Sequence, residues 1–193
     1  MLTNLKLYMV IIGCTPKGRH TEQHDVYFGI ANNIAEMLPQ LQAFWPEVAT
    51  KLHVDAFKAI TAIEGYKITV IPKLQALKSE NQLFFLNLGG YKPHEMEEFH
   101  YKMIVVAASK AEAITQAKQT AFYKHTGFKG ATSHIDDKYG VDVDDIYSIE
   151  DILPKAQKNK YQINITKVTK QLQQDELHLG YYKQSKLLTL THL

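Results

Sequence analysis

Apolar residues along this chain fall into runs that recur. Residues 7–13 read Leu-Tyr-Met-Val-Ile-Ile-Gly, and residues 83–89, 76 positions later, read Leu-Phe-Phe-Leu-Asn-Leu-Gly. A continuous apolar run closed by glycine predicts a buried strand in each place. The same spacing carries Glu22 to Glu98, His24 to His100, Ala31 to Ala107, Ala35 to Ala111 and Glu36 to Glu112. Further along the spacing becomes 81. His53-Val54-Asp55 reappears there as His134-Ile135-Asp136, and Tyr66 and Ile68 as Tyr147 and Ile149. Self-similarity of this kind marks a duplication. The change of spacing implies five extra residues in the second copy, near Gly127 and Gly130.

The pattern predicts an α+β fold: two tandem strand–loop–strand–helix–strand repeats related by a pseudo-twofold, with a strand-rich C-terminal extension. A polar loop follows each first strand, with Pro16, Lys17 and Gly18 in one copy and Lys92 and Pro93 in the other. Second strands are expected at 24–30 and 100–107, and helices at 33–44 and 109–123. Ser109-Lys110-Ala111-Glu112 is a capping-box sequence that fixes the start of the second helix. Pro39 should kink or split the first helix, and Pro46 should end it. The His-x-Asp stretch and the segment through Ile68 predict two more extended pieces, the last running into 149–153 in copy two. Copy one thus covers 5–72 and copy two 82–153. The tail covers 154–193, and a single compact domain is the alternative. In the tail, 160–168 alternates at Tyr161, Ile163 and Ile165, as a strand does. Residues 176–182 and 187–190 are read as further strands, completing or covering a sheet edge. Such an edge also offers a route to a homodimer.

Composition adds exclusions. Lys and Arg number 22 against 20 Asp and Glu, a net charge of +2, too mild for a nucleic-acid or membrane footprint. Cys14 is the one cysteine, so no intrachain disulfide forms, which suits a reducing cytoplasm. Residues 7–14 resemble a lipoprotein leader at a glance, but the same apolar run recurs at 83–88, deep inside the chain. No stretch approaches the roughly 20 apolar residues of a membrane helix. The expected location is cytoplasmic.

Side chains at i and i+2 of a strand share a face. Glu22 with His24 and His53 with Asp55 would therefore project together, as would Glu98 with His100 and His134 with Asp136. If the two segments of a copy meet, each copy gathers two imidazoles and two carboxylates. That set suits a divalent transition metal such as Zn²⁺, Mn²⁺ or Fe²⁺. It equally suits an acid–base pair, or carboxylates that only pin histidines at the sheet rim. Of nine histidines, these four have counterparts in the other copy. Other candidates fall away. The segment 13–19 lacks the Lys-Ser/Thr pair and the following helix of a phosphate loop. His94-Glu95 has Glu98 where a zinc-protease motif needs histidine. Cys14 and Trp45 have no counterparts and read as packing. The acidic run 136–145 departs from the EF-hand positions and reads as an edge strand.

The repeated pattern of an apolar strand ending in Gly, then Glu-x-His, His-x-Asp and a Gly-Tyr turn resembles a small bacterial family, domain-of-unknown-function family 1543. Copy one carries it at 7–13, Glu22/His24, His53/Asp55 and Gly65-Tyr66. Copy two carries it at 83–89, Glu98/His100, His134/Asp136 and Tyr147, with Ile146 in place of the glycine. The resemblance spans about residues 5–153 and implies no activity. The sequence favours a non-enzymatic binding or assembly module. The alternative is a metal-binding protein or metal-dependent enzyme that uses the paired Glu-x-His and His-x-Asp side chains.

Overall fold

A computed structural model describes residues 4–73, 79–91, 94–119 and 141–193. The chain is α+β and divides into two units, Met1–Leu77 with Leu153–Leu193, and Lys78–Ile152. The tail therefore clusters with the first unit.

The first unit is organised on β1 (Lys6–Cys14), which pairs antiparallel with β2 (Gln23–Ala31) on one side and β3 (His53–Ile60) on the other. The β1–β2 loop turns at Pro16–Arg19, where the Arg19 amide donates to the Pro16 carbonyl at 3.1 Å. Gly18 sits there at φ 82°, the left-handed position that a type II turn gives to glycine. Alternate residues of β1, Tyr8, Val10, Ile12 and Cys14, pack with Ile34, Met37, Leu38 and Leu41. Burying each large apolar side chain contributes roughly 1.5–3 kcal/mol. Pro39 does split the helical segment. A 3₁₀ turn, Ile34–Met37, precedes α1 (Leu38–Phe44), and Pro39 lies in the first turn of α1, where a missing amide proton costs no hydrogen bond.

A second sheet joins β4 (Ala62–Ile63), β5 (Tyr66–Pro72) and the tail strand β9 (Tyr161–Lys167). Glu64 and Gly65, at φ 37° and 85°, form the two-residue turn between β4 and β5. Positive φ at both positions matches the strand twist of a tight hairpin. The tail also supplies an outer strand to the first sheet. Its order is β10-β3-β1-β2, with β10 at His178–Lys183.

The second unit repeats the three-stranded core: β6 (Gln82–Tyr91) lies between β7 (Glu98–Ala107) and β8 (Val141–Ser148). Its helix α2 (Lys110–Ala117) is capped as the sequence predicts. The Ser109 hydroxyl accepts from the Glu112 amide at 3.2 Å, and the Glu112 carboxylate accepts from the Ala108 amide at 2.9 Å. Asn33 caps the 3₁₀ turn of the first unit in the same way. One more bond recurs 76 positions apart. Gln40 Nε2 donates to the Ile30 carbonyl and Gln116 Nε2 to the Val106 carbonyl, each at 3.1 Å.

Three expectations need correction or limits. Residues 149–153 were expected to be extended, yet Ile149–Ile152 is a one-turn helix with Glu150 and Asp151 in its first turn, where acidic groups are favoured. The strand expected at 187–190 is instead the end of a helix, Gln184–Leu187, whose Leu187 enters the core. The helix expected at 109–123 ends at Ala117, with Lys118 as its C-cap, and residues 120–123, with Gly127 and Gly130, lie outside the described residues.

Candidate functional site

The site lies at the end of β1 that carries Gly13. The even-numbered residues of β1 face the helical core, so Gly13 opens on the opposite face. His24 of β2 stands directly across from it on one side and His53 of β3 on the other. The missing side chain is what makes room. A β-carbon on Gly13 would come within 2.6 Å of both Asp55 Oδ2 and His53 Nε2, and 3.0 Å from the His24 ring.

Asp55 reaches this place through a bulge. The register of β1 with β3 slips between Ile11 and Ile12, so Asp55 has no partner of its own on β1. Val54 and Phe57, three residues apart, both enter the core, which leaves Asp55 on the site face. Bulges of this kind bend a strand and re-aim a side chain, often beside a functional site.

All four side chains predicted for copy one converge. His53 Nε2 stands 3.0 Å from Glu22 Oε1 and 3.2 Å from Asp55 Oδ1. His24 Nε2 stands 3.2 Å from Asp55 Oδ2 and 3.5 Å from Glu22 Oε2. The contacts form a ring in which imidazole and carboxylate alternate. His53 is only 4% exposed, whereas His24 and Glu22 are 46% and 40% exposed, so the ring is anchored at one corner and open to water at others. His53 Nε2 and Asp55 Oδ2 are buried without a hydrogen-bond partner. The tail contributes a wall, because Tyr181 of β10 lies against His53 with ring centroids 4.1 Å apart.

The second unit builds the same corner differently. Gly89 pairs with His100 on β7 and with Asp142 on β8, and the β6–β8 register slips between Asn87 and Leu88. That slip leaves Asp144 as the bulged residue, with Val143 and Ile146 packed against the core. One donor atom each from Glu98, His100 and Asp144 lies within 4.8 Å of the others. His100 Nε2 is 3.3 Å from Asp144 Oδ2 and 3.8 Å from Glu98 Oε2.

The strand equivalent to β3 is therefore β8. By register Asp142 stands where His53 does, and Asp144 where Asp55 does, 89 positions on rather than 81. The segment before β8 is thirteen residues longer than its counterpart, not five. His134 and Asp136 lie outside the described residues. Tyr147 sits in β8 opposite Phe85, whereas its expected match Tyr66 begins β5. Asp144 thus joins Glu98 and His100 in the second cluster, a residue the sequence reading does not single out. Its signal was present: Asp142-Val143-Asp144 followed by Ile146 parallels His53-Val54-Asp55 followed by Phe57. The identical His-x-Asp spelling recurs instead at 134–136.

Residues 19–70 match the family model Domain of Unknown Function (DUF1543), the family whose pattern the sequence resembles. No curated protein matches the chain. Among solved structures, a crystal structure of a protein Il1583 from Idiomarina loihiensis is similar. It has 21% identity and a TM-score of 0.61, over 92% of this chain and 96% of that one. That likeness shows a shared fold.

Proposed function

We propose that this chain is a metal-binding protein built from a duplicated α+β unit, and that Glu22, His24, His53 and Asp55 hold a divalent transition-metal ion. The observation that carries the reading is His53. Its Nε2 is buried, faces two carboxylates and has no hydrogen-bond partner. Leaving such a group unsatisfied costs about 1–3 kcal/mol. Carboxylates that merely pinned the histidines would have removed that cost by accepting hydrogen bonds. A cation shared by the ring removes it as well, and neutralises both carboxylates. Metal–donor bonds of about 2.0–2.1 Å at tetrahedral angles put neighbouring donors roughly 3.3 Å apart. The four nitrogen–oxygen contacts, from 3.0 to 3.5 Å, are of that order and run from the two imidazoles to both oxygens of each carboxylate.

The donor chemistry supports the ion class. Two imidazoles with two carboxylates suit Mn²⁺, Fe²⁺ or Zn²⁺ better than Ca²⁺ or Mg²⁺, which prefer all-oxygen sets. The exposed His24 and Glu22 leave a side from which water or a small ligand reaches the ion. The duplication is supported by the shared strand order, the matching bulges and the glutamine bond that recurs 76 positions apart. In the second unit an aspartate, Asp142, stands at the register position of His53, so that cluster lacks the buried imidazole of the first. The tight site is therefore assigned to the first unit. Metal binding gives the binding-module reading a specific ligand and requires no catalysis. The single buried Cys14 and modest net charge suit a cytoplasmic bacterial protein without a nucleic-acid or membrane partner, and no helix among the described residues is long and apolar enough to cross a membrane.

Thermal unfolding tests the reading. Ligand at one hundred times its dissociation constant stabilises a protein by about 2.7 kcal/mol. Adding Mn²⁺ or Zn²⁺ to chelator-treated wild type should raise Tm, and the rise should vanish in His53→Ala. An equal rise in both proteins would refute the assignment.

A further inference from the structure

Strand β10 lies on the outer side of β3, with Leu179 opposite Ala56, Tyr182 opposite Val54 and Lys183 opposite His53. Between these pairs, Gly180 and Tyr181 stand against the single residue Asp55. Gly180 has φ 145°, a backbone that side-chain-bearing residues rarely adopt. This second bulge turns Tyr181 onto the face of the ring of donors. Its aromatic ring lies 4.1 Å from that of His53, with 33° between the planes. Tyr181 is 64% exposed, although the imidazole beneath it is 4% exposed. A large aromatic side chain left so exposed is not there to fill the core.

We infer that Tyr181 is a positioning residue of the first metal site. Its ring holds the His53 imidazole in the orientation that aims Nε2 at Glu22 and Asp55, and it screens that nitrogen from bulk water. The inference rests on the metal-binding reading and adds the C-terminal strand to it. Gly180 is the enabling residue, because its bulge supplies the extra position that brings Tyr181 over the site. The second unit offers a contrast: among the described residues β8 has no strand on its outer side.

The experiment uses the full chain, with Mn²⁺ or Zn²⁺ titrated calorimetrically into wild type, Tyr181→Ala, Tyr181→Phe and Leu179→Ala. Losing a partner that orients a metal ligand typically weakens binding about 10–100-fold, and Tyr181→Ala should do so. Tyr181→Phe keeps the ring and should bind as wild type does. Leu179→Ala removes an equally exposed side chain from the same strand and should leave affinity unchanged. NMR of the imidazole nitrogens gives a second readout without metal, in which the His53 resonances should move in Tyr181→Ala and stay in Leu179→Ala. Wild-type affinity in Tyr181→Ala would overturn the inference, as would an equal loss in Leu179→Ala. If wild type takes up no ion, the metal reading fails by itself, and unmoved His53 resonances in Tyr181→Ala would then sink the positioning role too.

Discussion

Gly13 and Asp55 occupy the same space from two strands: a β-carbon on Gly13 would stand 2.6 Å from Asp55 Oδ2. Glycine there is required by the donor ring and not by the backbone. Gly13→Ala should therefore push Asp55 and His53 apart and abolish metal binding. Overpacking of this kind typically costs about 1–3 kcal/mol of stability. Calorimetric titration beside chemical denaturation checks both effects. A folded Gly13→Ala protein with wild-type affinity would place the ion elsewhere.

Gln40 ties α1 to β2. Besides its bond to the Ile30 carbonyl, its Oε1 accepts from Gln157 Nε2 at 2.8 Å and from the Tyr27 hydroxyl at 3.2 Å. Gln116 makes the corresponding carbonyl bond without those two partners. Each net hydrogen bond contributes about 0.5–1.5 kcal/mol. Gln40→Ala should cost more stability than Gln116→Ala, by about 1–2 kcal/mol. Hydrogen exchange resolved along the chain assigns each loss to its unit.

Alkaline pH should weaken the first unit through Tyr8. Burial, followed by the negative charge of Glu36, raises its phenol from 10.0 to about 12. The folded state thus holds the proton where the unfolded state has released it. Stability from this group is complete below pH 10 and falls as pH rises from 10 to about 12. Tyr8→Phe removes that dependence, and also the hydroxyl's 3.0 Å bond to the Leu193 carbonyl. Denaturation midpoints at pH 9, 10 and 11 measure the slope. An unchanged slope in Tyr8→Phe would assign it to other groups.

The clusters of the two units should behave independently. Asp144→Asn removes the bulged carboxylate of the second unit, and Asp55→Asn that of the first. Only Asp55→Asn should abolish the tighter binding event in a titration. Loss of that event in Asp144→Asn would move the principal site to the second unit.

Much of this was legible in the sequence, and the exceptions have separate causes. The spacing of 76 located the paired strands, their glycines and the Glu-x-His pairs, because strands with one buried face hold their register firmly. Ser109 and Glu112 announced a cap through local chemistry alone. The placing of His24 and His53 on either side of Gly13 rested on two strands flanking one glycine, which the sequence could offer only as a condition. Asp144 was hidden because a bulge breaks the two-residue alternation by which its acidic run was read as an ordinary edge strand. Tyr181 left no trace in the 76-residue spacing, since it comes from the tail and reaches the site across 128 residues of chain from His53.

The central claim is that Glu22, His24, His53 and Asp55 hold one ion. Elemental analysis of untagged protein, paired with Mn²⁺, Fe²⁺ and Zn²⁺ titration of wild type and of His24→Ala/His53→Ala, tests it most directly. Wild type should hold one transition-metal ion tightly per chain and the double variant none. No ion on isolation, together with no binding at micromolar concentrations, would contradict it.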